Sequence, residues 1–202
     1  MPQFTHDWGS KNFPVWKTIL EKLAGKPNLL FLEIGCYEGL ATLWLLENIL
    51  TQPTSAILVM DTFAGSMEME NIAVGSMERT FRRNIARYRK QVRIKKGVSQ
   101  VLLRGLKAEF DFVYIDGSHQ AADVLEDAVL SFRLLKPGGI LIFDDYLWRN
   151  YPQPQLNPAL GIDSFLAGFA GRYNLLHKNY QVAIKKLAID LPAQREVGGE
   201  TP

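Results

Sequence analysis

Cysteine is nearly absent from this chain: Cys36 stands alone among 202 residues. No internal disulfide can form, a metal centre built from several thiolates is excluded, and a reducing, cytoplasmic location is the expectation. Long apolar runs are missing too. None approaches the ~20 residues needed to span a bilayer, and the opening MPQFTHDWGSKN has no charged stretch leading into an apolar one, so no membrane partner and no secretion signal are expected. Nor is there a charge excess, with 23 basic against 21 acidic residues and a formal net charge of +2. That balance excludes a polybasic nucleic-acid binder and an acidic disordered chain, and nucleic acid is not expected as a partner. What the chain does have is 47% hydrophobic residues, enough to fill the core of one α/β domain. A single domain over residues 1–192 is expected, with a disordered tail at 193–202 whose one sizeable apolar residue is Val197.

Periodicity supplies the order of elements. Trp16, Ile19, Leu20 and Leu23 recur at helical spacing, Pro14 suits a first turn and Gly25-Lys26-Pro27 stops the run, which predicts a leading helix over 13–24. The run NLLFLEI (28–34) is apolar almost throughout and breaks at Gly35, as a strand covered on both faces should. The same reasoning gives helices at 40–50, 76–90, 100–108 and 121–135 and strands at 56–60, 92–95, 110–115 and 140–143, with Lys136-Pro137-Gly138-Gly139 ending the fourth of these helices. A lid-like loop carrying Met67 and Met69 is expected at 62–75, with Met77 just beyond it; methionine adapts its shape to cover or fill. After a proline-rich connection come a helix at 161–170 and two short runs, 173–177 and 182–187, that read as a hairpin. Alternating βα units closed by such a hairpin predict an α/β, Rossmann-like, doubly wound sheet that is mostly parallel with antiparallel strands at its C-terminal end. In that architecture ligands sit beyond the carboxyl ends of the strands, so residues 33–39, Asp61, 97–99, 116–119 and 144–145 become the candidates.

The first of these segments, Glu33-Ile34-Gly35-Cys36-Tyr37-Glu38-Gly39, is not the GxGxxG of a dinucleotide site. Tyr37 and two glutamates would crowd and repel a pyrophosphate. An acidic rim around a glycine turn favours a cation, and S-adenosylmethionine has a positive sulfonium, a positive ammonium and no phosphate. Asp61, ending the second strand, is placed to accept hydrogen bonds from ribose hydroxyls. The plainer reading of Gly35 and Gly39, a tight turn and close helix packing, stands beside this one.

Taken in order, EIGCYEG (33–39), VMDTFAGS (59–66), FVYIDGSH (112–119) and LLKPGGILIFDDY (134–146) make residues 29–186 resemble class I S-adenosylmethionine-dependent methyltransferases. The resemblance is strongest to the metal-dependent branch that includes catechol-type and macrolide-sugar O-methyltransferases. It implies cofactor contacts at Glu33, Gly35 and Asp61, with Cys36, Tyr37, Gly39, Thr62 and Asp116 in the same shell and Phe63 and Ser99 near the adenine. It also implies a divalent metal on the acidic positions after the fourth and fifth strands, holding two adjacent substrate hydroxyls.

In the resembled fold the fifth strand neighbours the fourth, which implies that Asp116, Asp144 and Asp145 converge at neighbouring strand ends. Three carboxylates repel one another unless protons or a cation neutralise them; an all-oxygen set favours Mg²⁺, with Ca²⁺ or Mn²⁺ as variants. Asp145 stands where catechol-type enzymes carry asparagine, which shifts the expected acceptor from a catechol to a vicinal diol on a sugar or small natural product. His119 stands where related enzymes carry the base that deprotonates the acceptor, and an imidazole pKa near ~6.5 suits that task. With Asp116 it forms the expected catalytic pair. Two alternatives remain open at this level: His119 beside Ser118 as a helix cap, and Asp144-Asp145 as a turn that satisfies backbone donors. Residues 79–96 carry nine basic side chains and no acidic one. With Phe81, Ile85 and Tyr88 on the buried side and no aromatic among the outward charges, this is read as a solvated face. A small-molecule hydroxyl acceptor is the expected partner, and a homodimer is compatible with the sequence. A non-catalytic binding module would not need Asp116, His119, Asp144 and Asp145, and a nucleic-acid methyltransferase would need a target-base pocket or an aromatic-basic strand surface.

Overall fold

The computed structural model describes residues 2–65 and 74–188. In chain order the elements are α1 (Phe13–Leu20), β1 (Leu30–Ile34), α2 (Leu40–Asn48), β2 (Ala56–Asp61), α3 (Val74–Asn84), β3 (Val92–Lys96), α4 (Ser99–Arg104), β4 (Phe110–Ile115), α5 (Ala121–Leu134), β5 (Leu135–Phe143), α6 (Pro158–Gly168), β6 (Tyr173–Lys178) and β7 (Val182–Lys186). The strands make one sheet in the order β3-β2-β1-β4-β5-β7-β6. The first five are parallel and β7 and β6 are antiparallel additions. This is the doubly wound, mostly parallel sheet that the sequence predicts.

The apolar runs are buried because alternate side chains feed two cores. Phe31, Val59 and Phe112 pack with Trp16, Leu45 and Phe81 on one face, while Leu32, Val113 and Phe143 pack with Phe132 and Phe165 on the other. Each fully covered side chain of this size is worth about 1.5–3 kcal/mol, which is why β1 and β4 tolerate so few polar residues. Strand order reverses between β1 and β4, so the loops that follow them diverge and leave a crevice at the carboxyl ends.

Local departures from expectation have identifiable causes. The 13–24 helix is α1 continued by a 3-10 turn at Glu21–Leu23. Residues 136–139 do not separate α5 from its strand: Phe110 pairs with Leu135 and Phe112 with Ile140, so the Lys-Pro-Gly-Gly segment is looped out as a bulge within β5, with Gly138 at φ +79. The sixth helix begins at Pro158, where proline's fixed φ suits a first turn, rather than at 161. The 76–90 helix starts earlier and breaks after Asn84 into a 3-10 turn at Ala86–Tyr88, and α4 stops at Arg104, before Gly105. Met77 is buried core. Met67, Met69, most of the 62–75 loop and the 193–202 tail lie outside the described residues. Among the described residues, no helix is long and apolar enough to cross a membrane.

Candidate active site

A cavity of about 940 Å³ opens at the carboxyl ends of β1 to β5. Its walls join the turn after β1, the end of β2, the start of α4, the loop after β4 and the loop after β5. Of the residues singled out from sequence, Glu33, Gly35, Cys36, Tyr37, Asp61, Thr62, Ser99, Asp116, His119, Asp144 and Asp145 line it. Gly39 and Phe63 do not. Gly39 lies at the start of α2 with φ +88, where a Cβ would come 2.9 Å from the Phe81 ring, and Phe63 is buried against that same ring.

Asp61 organises the cofactor side. Its Oδ2 accepts the backbone N–H groups of Cys36 (2.8 Å) and Tyr37 (3.1 Å), and its Oδ1 accepts that of Phe63 (2.7 Å). One carboxylate thereby ties the turn after β1 to the end of β2. Gly35, at φ +81, is dictated by proximity, because a Cβ there would lie 2.0 Å from the carbonyl oxygen of Asp116; both plain readings of the glycines are therefore correct as far as packing goes. Tyr37, Phe63 and Asp145, three of the four non-glycine residues with positive φ among those described, follow β1, β2 and β5. Each such conformation costs of order 1–3 kcal/mol, and such costs cluster at functional sites.

Glu33 is fully buried. Its Oε2 accepts the Thr42 hydroxyl at 2.6 Å, while its Oε1 has no partner among the described residues. Burial, opposed by the Thr42 hydrogen bond and helped by nearby Asp61, pushes its pKa up to about 8. A cationic group in the cavity would satisfy that orphaned oxygen and restore the charged form, which fits the ammonium of S-adenosylmethionine. Ser99 points its hydroxyl at Asp127 Oδ2 (3.0 Å).

The reactive side is crowded with carboxylates. The Tyr114 hydroxyl lies 2.9 Å from Asp116 Oδ2 and also bonds Asp144 Oδ2. Its single proton points to only one of the two carboxylates at a time, so the hydroxyl sits as a shared donor between them. Burial, then the charges of Asp144 and Asp145, drive the Asp116 pKa well above the usual carboxylate range. Burial, then Asp145, raise Asp144 to about 6. Asp145 moves the other way: burial would raise it, but the hydrogen bond and charge of His119 outweigh burial and lower it. His119 Nε2 stands 2.9 Å from Asp145 Oδ2, with its ring tilted against Trp148 at 4.6 Å. Asp116, His119 and Asp145 each offer one ligand atom, all within 4.8 Å of one another. The carboxylate oxygens of Asp116 and Asp145 are hard donors in a crowded acidic pocket and suit a divalent cation such as Mg²⁺. Asp144, expected among the metal ligands, is instead engaged by the protein: Oδ1 accepts the Asp145 N–H (2.7 Å) and Oδ2 accepts Gln181 Nε2 (2.8 Å) besides Tyr114. Just before α5 it is Ser118 whose hydroxyl accepts the Gln120 N–H and donates to Asp123, so Ser118 makes the local turn contacts while His119 faces Asp145.

Several wall residues were not signalled by the sequence. The segment before α1 crosses the cavity rim, contributing His6, Asp7, Trp8 and Lys11. Thr5 donates its N–H and hydroxyl to Glu38 (2.6 and 2.8 Å), Gln3 and Asn84 exchange two hydrogen bonds, and Trp8 packs between His6 and Tyr37. Tyr180 donates to Asp145 Oδ1 (2.8 Å) beneath Lys11. The aspartate and tryptophan of the HDWGSKN stretch were the available signal, and nothing local marks them as wall residues.

Comparison with known proteins gives a consistent result. A family model described as a methyltransferase domain matches residues 32–146. Over 160 residues the chain is 26% identical to an uncharacterized protein of Acanthamoeba polyphaga mimivirus, covering 77% of this chain and 69% of that one. Over 123 residues it is 28% identical to the O-methyltransferase hkm8 of Aspergillus hancockii, covering 61% of this chain but only 44% of that protein. Among solved structures, the O-methyltransferase from Bacillus cereus in complex with SAH superposes with a TM-score of 0.65 at 18% identity, over 91% of this chain and 84% of that one. The MycE methyltransferase of the mycinamycin biosynthetic pathway, in complex with Mg, SAH and mycinamycin VI, superposes with a TM-score of 0.60 at 17% identity, over 94% and 54%. At these identities the structural matches speak to the fold.

Proposed function

The chain belongs to the methyltransferase-domain family and is a class I S-adenosylmethionine-dependent methyltransferase, and on that premise we propose that it methylates a hydroxyl oxygen of a small molecule with the help of a divalent metal. The observation that carries this reading is the single cavity that joins the acid-rimmed turn of Glu33 and Asp61 to the His119–Asp145 pair. The oxygen-methylating relative hkm8 and the Mg present with MycE support it.

S-adenosylmethionine, when bound, supplies a methyl group made electrophilic by the positive sulfonium. Glu33 would receive the ammonium and Asp61 the ribose hydroxyls. His119 takes the proton of the acceptor hydroxyl, and Asp145 orients the ring and stabilises the imidazolium that results. With the cofactor bound, the acceptor oxygen's electron pair would form the new C–O bond while the C–S pair stays on sulfur. Asp116 and Asp145 would hold the metal, Mg²⁺ or else Ca²⁺ or Mn²⁺, whose charge neutralises the cluster and acidifies the bound hydroxyl. A vicinal diol on a sugar or natural product fits a cation that accepts two oxygens.

The test is methyl transfer from labelled S-adenosylmethionine to a panel of vicinal diols, with and without EDTA. Transfer is expected to stop in EDTA while S-adenosylhomocysteine affinity by calorimetry is nearly unchanged. His119→Ala is expected to lose about 10²–10⁴-fold in rate with its unfolding midpoint almost intact. Full activity in excess chelator sinks the metal, and an unchanged rate and pH profile in His119→Ala sinks the base.

A further inference from the structure

Behind the reactive carboxylates runs a buried chain of hydrogen bonds that the chemistry above does not use. Trp16, on α1, donates its indole N–H to Gln181 Oε1 at 2.7 Å. Gln181, in the connection between β6 and β7, donates from Nε2 to Asp144 Oδ2 at 2.8 Å. That same oxygen accepts the hydroxyl of Tyr114, which also reaches Asp116. Trp16 and Gln181 are buried, at 1% and 3% exposure. The Trp16 ring closes the circuit by standing edge-on to the Tyr114 ring, centroids 4.7 Å apart at 77°.

The directions in this chain are forced. An indole N–H can only donate, so it selects the carbonyl end of the Gln181 amide; the NH₂ end must then face Asp144, whose carboxylate is the acceptor. No side-chain flip satisfies both neighbours. Three elements remote in sequence, α1, the β6–β7 connection and the end of β5, meet in this one chain. A lone Trp–Gln bond would suffice to fasten the leading helix to the hairpin. The further bond from Gln181 to a carboxylate that contacts Tyr114 is what a fastening does not require.

We propose that Trp16 and Gln181 are positioning residues for methyl transfer: the indole fixes the Gln181 amide, the amide fixes the Asp144 carboxylate, and Asp144 fixes the Tyr114 hydroxyl against Asp116. The proposal rests on the reading of Asp116 and its neighbours as the reactive end. Neither residue touches the cavity, so neither is catalytic. The leading helix is thereby part of the machinery rather than a cover for the sheet.

The discriminating variants are Trp16→Phe, which keeps a packed ring and removes the N–H, and Gln181→Met, which keeps the length of the side chain and removes both polar ends. Crystal structures of both, S-adenosylhomocysteine calorimetry, thermal unfolding, and transfer to a methyl hexopyranoside as a vicinal-diol probe acceptor are compared with the wild type. In each variant the Asp144 carboxylate is expected to rotate and the Tyr114–Asp116 contact to open, with S-adenosylhomocysteine affinity within about twofold, KM for S-adenosylmethionine unchanged and kcat down about tenfold or more. Unmoved Asp144, Tyr114 and Asp116 in both variants, whatever happens to the unfolding midpoint, overturn the proposal and leave a structural fastening. So does a lowered midpoint with unchanged kcat. If one variant does not fold, the other decides. A wild type that binds no S-adenosylhomocysteine would instead overturn the cofactor reading, and the crystallographic comparison would still judge the positioning.

Discussion

Residues 79–96 hold nine basic side chains, and every one of them is exposed; Asp116, Asp144 and Asp145 crowd three buried or half-buried carboxyl groups into the cavity wall at the strand ends. In the first region the cost of crowding is small, because unit charges several ångströms apart in water interact by about 1 kcal/mol or less and salt screens them further. In the second, burial first and like charge second raise two pKa values, His119 lowers a third, and a tyrosine hydroxyl lies between two carboxylates. A like-charged run is informative only when its burial is known. The basic strip is conspicuous in sequence and chemically quiet, while the acidic cluster is three residues, two of which, Asp144 and Asp145, sequence alone leaves compatible with a turn.

The largest effect is expected where the two halves of the cavity touch. Gly35→Ala would put a Cβ 2.0 Å from the Asp116 carbonyl oxygen at φ +81, and because the obstacle is backbone no side chain can yield. Loss of about 4 kcal/mol or more, or no folded protein at all, is expected in urea titration. A variant within 1 kcal/mol of the wild type would mean that the loops after β1 and β4 do not meet as described.

Much of this was legible because it is local. NLLFLEI and FDFVYI announce buried strands, and Asp61, Asp116 and Asp145 could be named because each directly follows such a run. What was not legible depends on partners far along the chain. The segment before α1 is placed by Glu38 and Asn84, 33 and 81 positions from the residues they hold. Tyr114 reads as one more core residue until Asp144, 30 positions on, arrives at its hydroxyl, and Gln181 reads as a turn residue until Trp16, 165 positions away, fixes its amide. Phe63 and Gly39, assigned to the cofactor from the motif, are used by the fold to pack Phe81. The bulge at 136–139 uses the same Pro-Gly-Gly that would end a helix, and only the register with β4 tells the two apart.

A pH series sharpens the contrast between buried and exposed charge. Glu33 is raised to about 8 from 4.5, chiefly by burial, and Asp127 to about 7 from 3.8, again chiefly by burial. Below about pH 3 both are protonated in either state and contribute no difference. As pH rises from there the unfolded chain releases these protons first, so stability falls until the native pKa values are passed, by a few kcal/mol between about pH 4 and pH 8. Urea titrations of the metal-free protein at pH 5 and pH 8 measure this. Glu33→Gln is expected to be more stable at pH 8 and to show a shallower slope; an unaltered slope would mean that Glu33 is ionised in the folded protein.

On the cofactor side the effect is smaller, since Asp61 is already held by three backbone donors. Asp61→Ala is expected to weaken S-adenosylhomocysteine by about 1.5–3 kcal/mol, the scale for losing a charged acceptor, with some further loss of stability as the Cys36, Tyr37 and Phe63 N–H groups are released. Calorimetry on the folded fraction separates the two. If the variant binds as tightly as the wild type, Asp61 only braces the turn.

The smallest effect belongs to the basic strip, and its smallness is the point. Arg83, on α3, and Arg93, on the edge strand β3, are exposed and have no carboxylate partner among the described residues, unlike Arg82 and Lys96, which both reach Glu78. Replacing both with glutamine removes two charges and no contact that the fold relies on, so stability is expected to stay within about 0.5 kcal/mol and S-adenosylhomocysteine affinity to be unchanged. The outward charge at β3 has one use that water does not erase: an unpaired sheet edge invites another strand, and arginine or lysine there discourages it. Arg93→Gln is therefore expected to show weak self-association in sedimentation at high concentration, and a monomer at every concentration would mean that the edge is guarded otherwise. Loss of cofactor affinity in the double variant, or salt-sensitive binding of a short RNA by the wild type that the double variant lacks, would make the strip an interface and reverse its reading as a solvated face.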